Sequence, residues 1–132
     1  MTTKEDLRAL RRLELEQAAL GRRIEALRRE AALLEMQDVP PESLSAHAQT
    51  RLLAQLCELQ GRYAAQLATL ADKRQAATRR ILRLERSEWR TLLVLYYCEG
   101  RSWAQVAAML HYSRRQLLRL HNDAIAALDA AG

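Results

Sequence analysis

The chain has 132 residues, 49% of them hydrophobic, with no Phe, four Gly and two Pro. Because the apolar residues are mostly Leu and Ala, this composition favours long helices and argues against a sheet protein. The formal net charge of +5 points to an acidic partner, nucleic acid being the commonest.

That charge is spread along the chain, with 16 basic against 12 acidic residues over 1–86 and 5 against 4 over 87–132. No long apolar run is present, and MTTKEDLRALRR carries charge where a secretory signal needs an apolar core. A soluble, cytoplasmic protein with no membrane partner is therefore expected. Cys57 and Cys98 stand in no metal-ligand spacing, which predicts reduced thiols and no metal site.

In chain order, Thr2 with Glu5 forms a first capping box. Leu10, Gln17, Ile24 and Ala31 then alternate with Leu13, Leu20, Leu27 and Leu34 at steps of three and four, the a and d positions of a coiled coil. Gln17 is the one polar residue in that seam and would set register. The pairs Arg11-Arg12, Arg22-Arg23 and Arg28-Arg29 fall mostly off it and read as a solvated, ion-paired face.

Asp38-Val39-Pro40-Pro41 stops this helix near Met36. A second helix is expected from about Ser45 to Arg86, with Leu52, Leu56, Leu59, Tyr63, Leu67, Arg74, Ala77, Ile81 and Leu84 along its seam and Leu70 beside Leu67. At 1.5 Å per residue the two helices span about 50 and 60 Å, and a short loop between matching seams predicts an antiparallel hairpin. The weaker seam at Arg74 and Ala77 suggests that the second half of this helix packs on the C-terminal part or on another subunit.

Ser87 is placed to cap a third, largely buried helix, Glu88 to Cys98, closed by Glu99-Gly100 with glycine in the left-handed position. Ser102 with Gln105, and Ser113 with Gln116, form two further capping boxes one short helix apart. Val106, Ala107 and Leu110, then Leu117, Leu120, Ala124 and Leu128, keep an apolar stripe on both helices. This is the pattern of a helix-turn-helix, and Trp103 at its start is expected to be core. The fold class expected is all-α, with a coiled-coil helical hairpin over 1–86 (loop at about 37–45) and a three-helix domain over 87–132.

The segment from Arg90 to Leu128 resembles region 4 of the bacterial sigma-70 factors. Through Trp89-Arg90, Leu95-Tyr96-Tyr97, Glu99-Gly100, Ser102-Trp103, Val106-Ala107, Tyr112-Ser113, Arg119-Leu120-His121 and Ala124 it is more closely similar to small phage and prophage regulators of the ArpU/RinA kind. LRALRRLELE also looks like that group. The resemblance implies transcriptional regulation through DNA. His111 stands where glycine is usual in the turn, and Leu118 is apolar where an outward polar residue is usual. Leu118 could meet a thymine methyl or another protein.

The expected reader is a recognition helix at about 114–128 in the major groove. Arg114, Arg115, Gln116, Arg119 and Asn122 would contact bases or phosphates, Ser113 would sit at the helix N-terminus beside a phosphate, and Arg101 is a secondary phosphate contact. His47, His111 and His121 stand apart from any nucleophile or carboxylate pair, so neither catalysis nor a cofactor is expected. The coil would make a homodimer or dock on RNA polymerase. Two other readings remain open: an anti-sigma-like or polymerase-binding module that does not read DNA, and a DNA recognition protein like the terminase small subunit.

Overall fold

The computed structural model describes residues 3–37, 40 and 42–131, Ser45 by its backbone alone. All regular structure among them is helical. The Thr2 box, and Asp38, Val39 and Pro41 of the breaker, lie outside the described residues.

Helix α1 runs Thr3–Glu35, α2 Leu44–Ile81, α3 Ser87–Leu93, α4 Trp103–Leu110 and α5 Arg114–Ala131. Helix α3 passes without a break into a π-helical turn, Val94–Cys98. The chain divides into two compact units, one made of residues 16–68 and the other of residues 1–15 and 69–132. The packing therefore draws its boundary through α1 and α2, and not at residue 86.

In the unit of residues 16–68, Ile24, Leu27 and Ala31 of α1 bury against Leu52 and Leu59 of α2, with Leu20, Leu34, Leu56 and Tyr63 partly covered. Gln17 Nε2 donates to the Tyr63 carbonyl at 2.9 Å and Gln49 Nε2 to the Leu34 carbonyl at 2.7 Å, so the two segments run antiparallel here. Gln17 is indeed buried in the seam, 5% exposed, but its Oε1 has no partner. The N-cap of α2 is Ser43, whose Oγ accepts from Ala46 N at 3.1 Å. That starts the helix one residue earlier than its sequence suggests.

In the other unit Leu7 and Leu10 of α1 and Leu70 and Ile81 of α2 share one core with Leu92 and Leu93 of α3. Val106 of α4 and Leu117 and Leu128 of α5 belong to the same core. Glu14 and Arg74 pair at 2.6 Å, and Arg80 Nη2 donates to Thr3 Oγ1 at 2.6 Å. The seam of α2 passes through Leu70, 3% exposed, and not through Leu67, 46% exposed. From Tyr63 onward it steps by three to Gln66 and by four to Leu70, which leaves Leu67 on the outer face.

Helix α2 ends at Ile81 and not at Arg86, because Leu84 must turn its side chain into this core. Two i→i−3 bonds, Arg83 N to Arg80 O and Leu84 N to Ile81 O, tighten the exit. Arg90 then donates to the carbonyls of Leu84 and Glu85. The N-cap of α3 is consequently Arg86, with extended dihedrals and no side-chain cap, and Ser87 is its first residue. Gly100 takes φ +70°, the left-handed closure expected after the third helix.

Candidate nucleic-acid interface

Helices α4 and α5 are joined by His111, Tyr112 and Ser113, and each begins with a complete capping box. Ser102 Oγ accepts from Gln105 N at 3.1 Å, and Gln105 Oε1 accepts from Ser102 N at 3.0 Å. The same pair of bonds joins Ser113 and Gln116 at 3.2 and 2.9 Å. His111 closes α4 at φ 59° and ψ 38°, the only positive φ outside glycine among the described residues. Such a residue costs about 1–2 kcal/mol. The two boxes and the Tyr112 N to Ala107 O bond, 3.0 Å, hold it there.

Leu117, His121, Ala124, Ile125 and Leu128 turn inward on α5. At about 100° per residue, Arg115, Arg119 and Asn122 project from the opposite side. Ser113, Arg114 and Gln116 are exposed with them. No carboxylate among the described residues forms an ion pair with Arg114, Arg115 or Arg119. The structure thus brings five of the seven expected site residues to the N-terminal half of one helix, with a sixth, Ser113, at its cap.

Two of the seven expected site residues are differently employed than their type alone suggests. Gln116 commits its Oε1 to the cap, and bidentate adenine contact needs that oxygen as well as the amide nitrogen. Arg101, the seventh site residue, lies apart before α4, where Glu99 meets its guanidinium at 3.3 Å and dilutes its charge.

A groove of about 510 Å³ runs beside α5. Lys4, Arg8, Arg11 and Arg12 of α1 line it opposite Leu118 and Asn122 of α5. Leu15, Tyr96, Tyr97, Trp103 and His121 complete the lining. Sequence reasoning classed Arg11 and Arg12 among a solvated coil face and singled out neither Lys4 nor Arg8. The available signal was the four-residue spacing of Lys4, Arg8 and Arg12, a single stripe on a helix.

Arg11 anchors the groove. Its Nη1 donates to the carbonyls of Tyr96, at 2.6 Å, and Arg101, at 2.9 Å. These include a carbonyl of the π-helical turn that the helix leaves without a partner. The guanidinium lies 3.8 Å over the Tyr96 ring, and Trp103 stacks on that ring with centroids 3.8 Å apart and planes 19° from parallel. Both cannot occupy one face, so Tyr96 is held between them. Trp103 is therefore half-buried against the tyrosine, packed on the edge of the core and lining the groove rather than lying within the core as expected.

Beneath α5, Tyr97 Oη and His121 Nε2 are 2.6 Å apart. Burial, with Tyr96 beside it, pushes the Tyr97 phenol up to about 12, so it keeps its proton. Burial is also the main force lowering His121 below 6.5, aided by the positive charge of Lys4 and Arg8 and opposed by a hydrogen bond that the protonated ring can donate to Asn122. The folded state therefore binds fewer protons here than the unfolded chain. This contribution to stability is complete above about pH 6.5 and is lost as pH falls from there toward the depressed folded value. Thermal unfolding followed by circular dichroism should show Tm falling from pH 7 to 5, with a smaller fall in His121→Asn. An equal fall in both would assign the effect to other groups.

Among the described residues no cluster of His, Cys, Asp and Glu could hold a metal ion, and no helix is long and apolar enough to cross a membrane. No family model, curated protein or solved structure matches the chain.

Proposed function

We propose that this chain is a sequence-specific, double-stranded DNA-binding transcriptional regulator of phage or prophage type. In this reading α4 and α5 are a sigma-70 region 4-like helix-turn-helix, and α5 enters the major groove. Arg115, Arg119 and Asn122 face the bases, Arg114 and Ser113 meet phosphate at the helix N-terminus, and Gln116 supports the cap. The observation that carries the reading is the exposed, ion-pair-free arginine face of α5, set by two capping boxes and a left-handed turn. The protein acts by binding and has no catalytic step.

The paired α1 and α2 form the coiled-coil hairpin of this regulator and serve as its dimerisation or RNA polymerase-docking element. Their seams already cover each other within one chain, so a homodimer through the coil must use their outer faces. Selection of duplexes from a random library, with solution mass measured in parallel, tests both claims. Arg115→Ala should weaken binding to the selected site by about 1–3 kcal/mol and relax preference at one position. Equally weak binding to every duplex, unchanged by that substitution, would sink the reading.

Leu118, 44% exposed at the edge of the same face, favours a second reading in which α5 meets RNA polymerase and not DNA. Recovery of polymerase by the full chain, together with no salt-sensitive DNA binding, would decide for it.

A further inference from the structure

We infer that the N-terminal turns of α1 are a second DNA-contacting element, gripping the phosphate backbone at the edge of the groove that α5 enters. The inference rests on the DNA-binding reading of α5 and adds a residue set that reading does not contain. Lys4, Arg8 and Arg12 lie at steps of four, one charge about every 6 Å along a single stripe of helix. Phosphates along one DNA strand advance about 3.4 Å per nucleotide on the axis while running obliquely to it, so successive ones are separated by a similar distance.

Lys4, Arg8 and Arg12 have no ion-pair partner among the described residues. Arg8 and Arg12 are exposed. They line the same groove as Leu118 and Asn122, so this cationic wall and the outer face of α5 meet along one surface. With side chains a helix is about 10–12 Å across, and it fills a major groove about 12 Å wide. An element packed at its flank then lies over the bordering strand, where phosphates are the available partners and base edges are not. Three arginines on α5 and three cations on α1 give a surface complementary to a polyanion.

The stripe is also held in place. Leu7 and Leu10, one turn away on the inner side of α1, are 3% and 2% exposed in the shared core. Arg11 fastens α1 to the carbonyls of Tyr96 and Arg101. A preset cation row loses little conformational freedom on binding, which favours affinity without reading sequence.

The test measures affinity of the full chain for its selected duplex across a salt series. The R8Q/R12Q variant is compared with R115A and with R22Q/R23Q, which removes the same charge from the other unit. The expected result is that R8Q/R12Q lowers the slope of log affinity against log salt by about 2, near 0.9 per phosphate lost, with base preference unchanged. R22Q/R23Q should leave the slope close to that of the parent. A parent-like slope in R8Q/R12Q, or an equal drop in R22Q/R23Q, would overturn the α1 contact while leaving the α5 reading intact. A parent chain that binds no duplex but binds poly-glutamate would overturn both. Helical circular dichroism and a urea midpoint matching the parent establish that both double variants remain folded.

Discussion

Replacing Ile81 by alanine should lower the unfolding free energy by about 3 kcal/mol, whereas Leu67→Ala should change it by less than about 0.5 kcal/mol. Both are apolar residues of α2, and hydrophobicity alone would rank them alike. Ile81 is fully buried at the end of the helix, in the core that also holds Leu84, Leu92 and Leu117. Truncation removes transfer energy and leaves a cavity that these neighbours cannot all collapse to fill. Leu67 lies on the outer face, already half in water. Urea unfolding of the two variants checks the ranking. Similar losses for both would mean that the seam runs through Leu67 after all.

Arg11→Ala should cost about 2–3 kcal/mol, large for a surface arginine, because charged hydrogen bonds to two carbonyls and a cation–π contact disappear together. The Tyr96 carbonyl would be left at the end of the π-helical turn with a donor to replace. Arg11→Lys should recover less than half of the loss, since one compact ammonium cannot lie flat on the Tyr96 ring and reach both carbonyls. Arg8→Ala, one turn earlier and exposed, serves as the stability control. An equal loss there would show that general charge, and not the Arg11 bonds, is responsible. The near-ultraviolet circular dichroism of the Tyr96–Trp103 stack should change in the Arg11 variants alone.

The periodicity that names the α1 seam is visible in the sequence because burial against a single partner repeats every three or four residues. Leu10, Gln17, Ile24, Leu27 and Ala31 are all buried as that repeat requires. It does not mark Leu7, which lies off the repeat yet is 3% exposed, because the first turns of α1 pack on more than one partner. The caps at Ser102 and Ser113 were legible for a related reason: each is a bond between residues three apart. Ser87 has the right residue type for a cap but lost that place to Arg86, once burial of Leu84 shifted the exit from α2.

The candidate site divides in the same way. The cations and polar groups of α5 could be listed from one amphipathic stripe, since what is not apolar on a packed helix faces outward. The partners of Arg11 could not, because they lie 85 and 90 residues away and no local pattern encodes them. Nor could the employment of Gln116 in its cap and of Arg101 with Glu99 be told from residue type, which offers several partners to each.

What the sequence by itself determined is local: helical composition, the α1 seam, the two capping boxes and the left-handed turn at Gly100. Each depends on residues within about two helical turns of one another, where backbone geometry alone decides who meets whom. The tertiary structure decided where α2 stops, which leucine joins the core, and that the first turns of α1 share a unit with α5. Those outcomes rest on three or more helices competing for one apolar volume, and only close packing in space settles that competition.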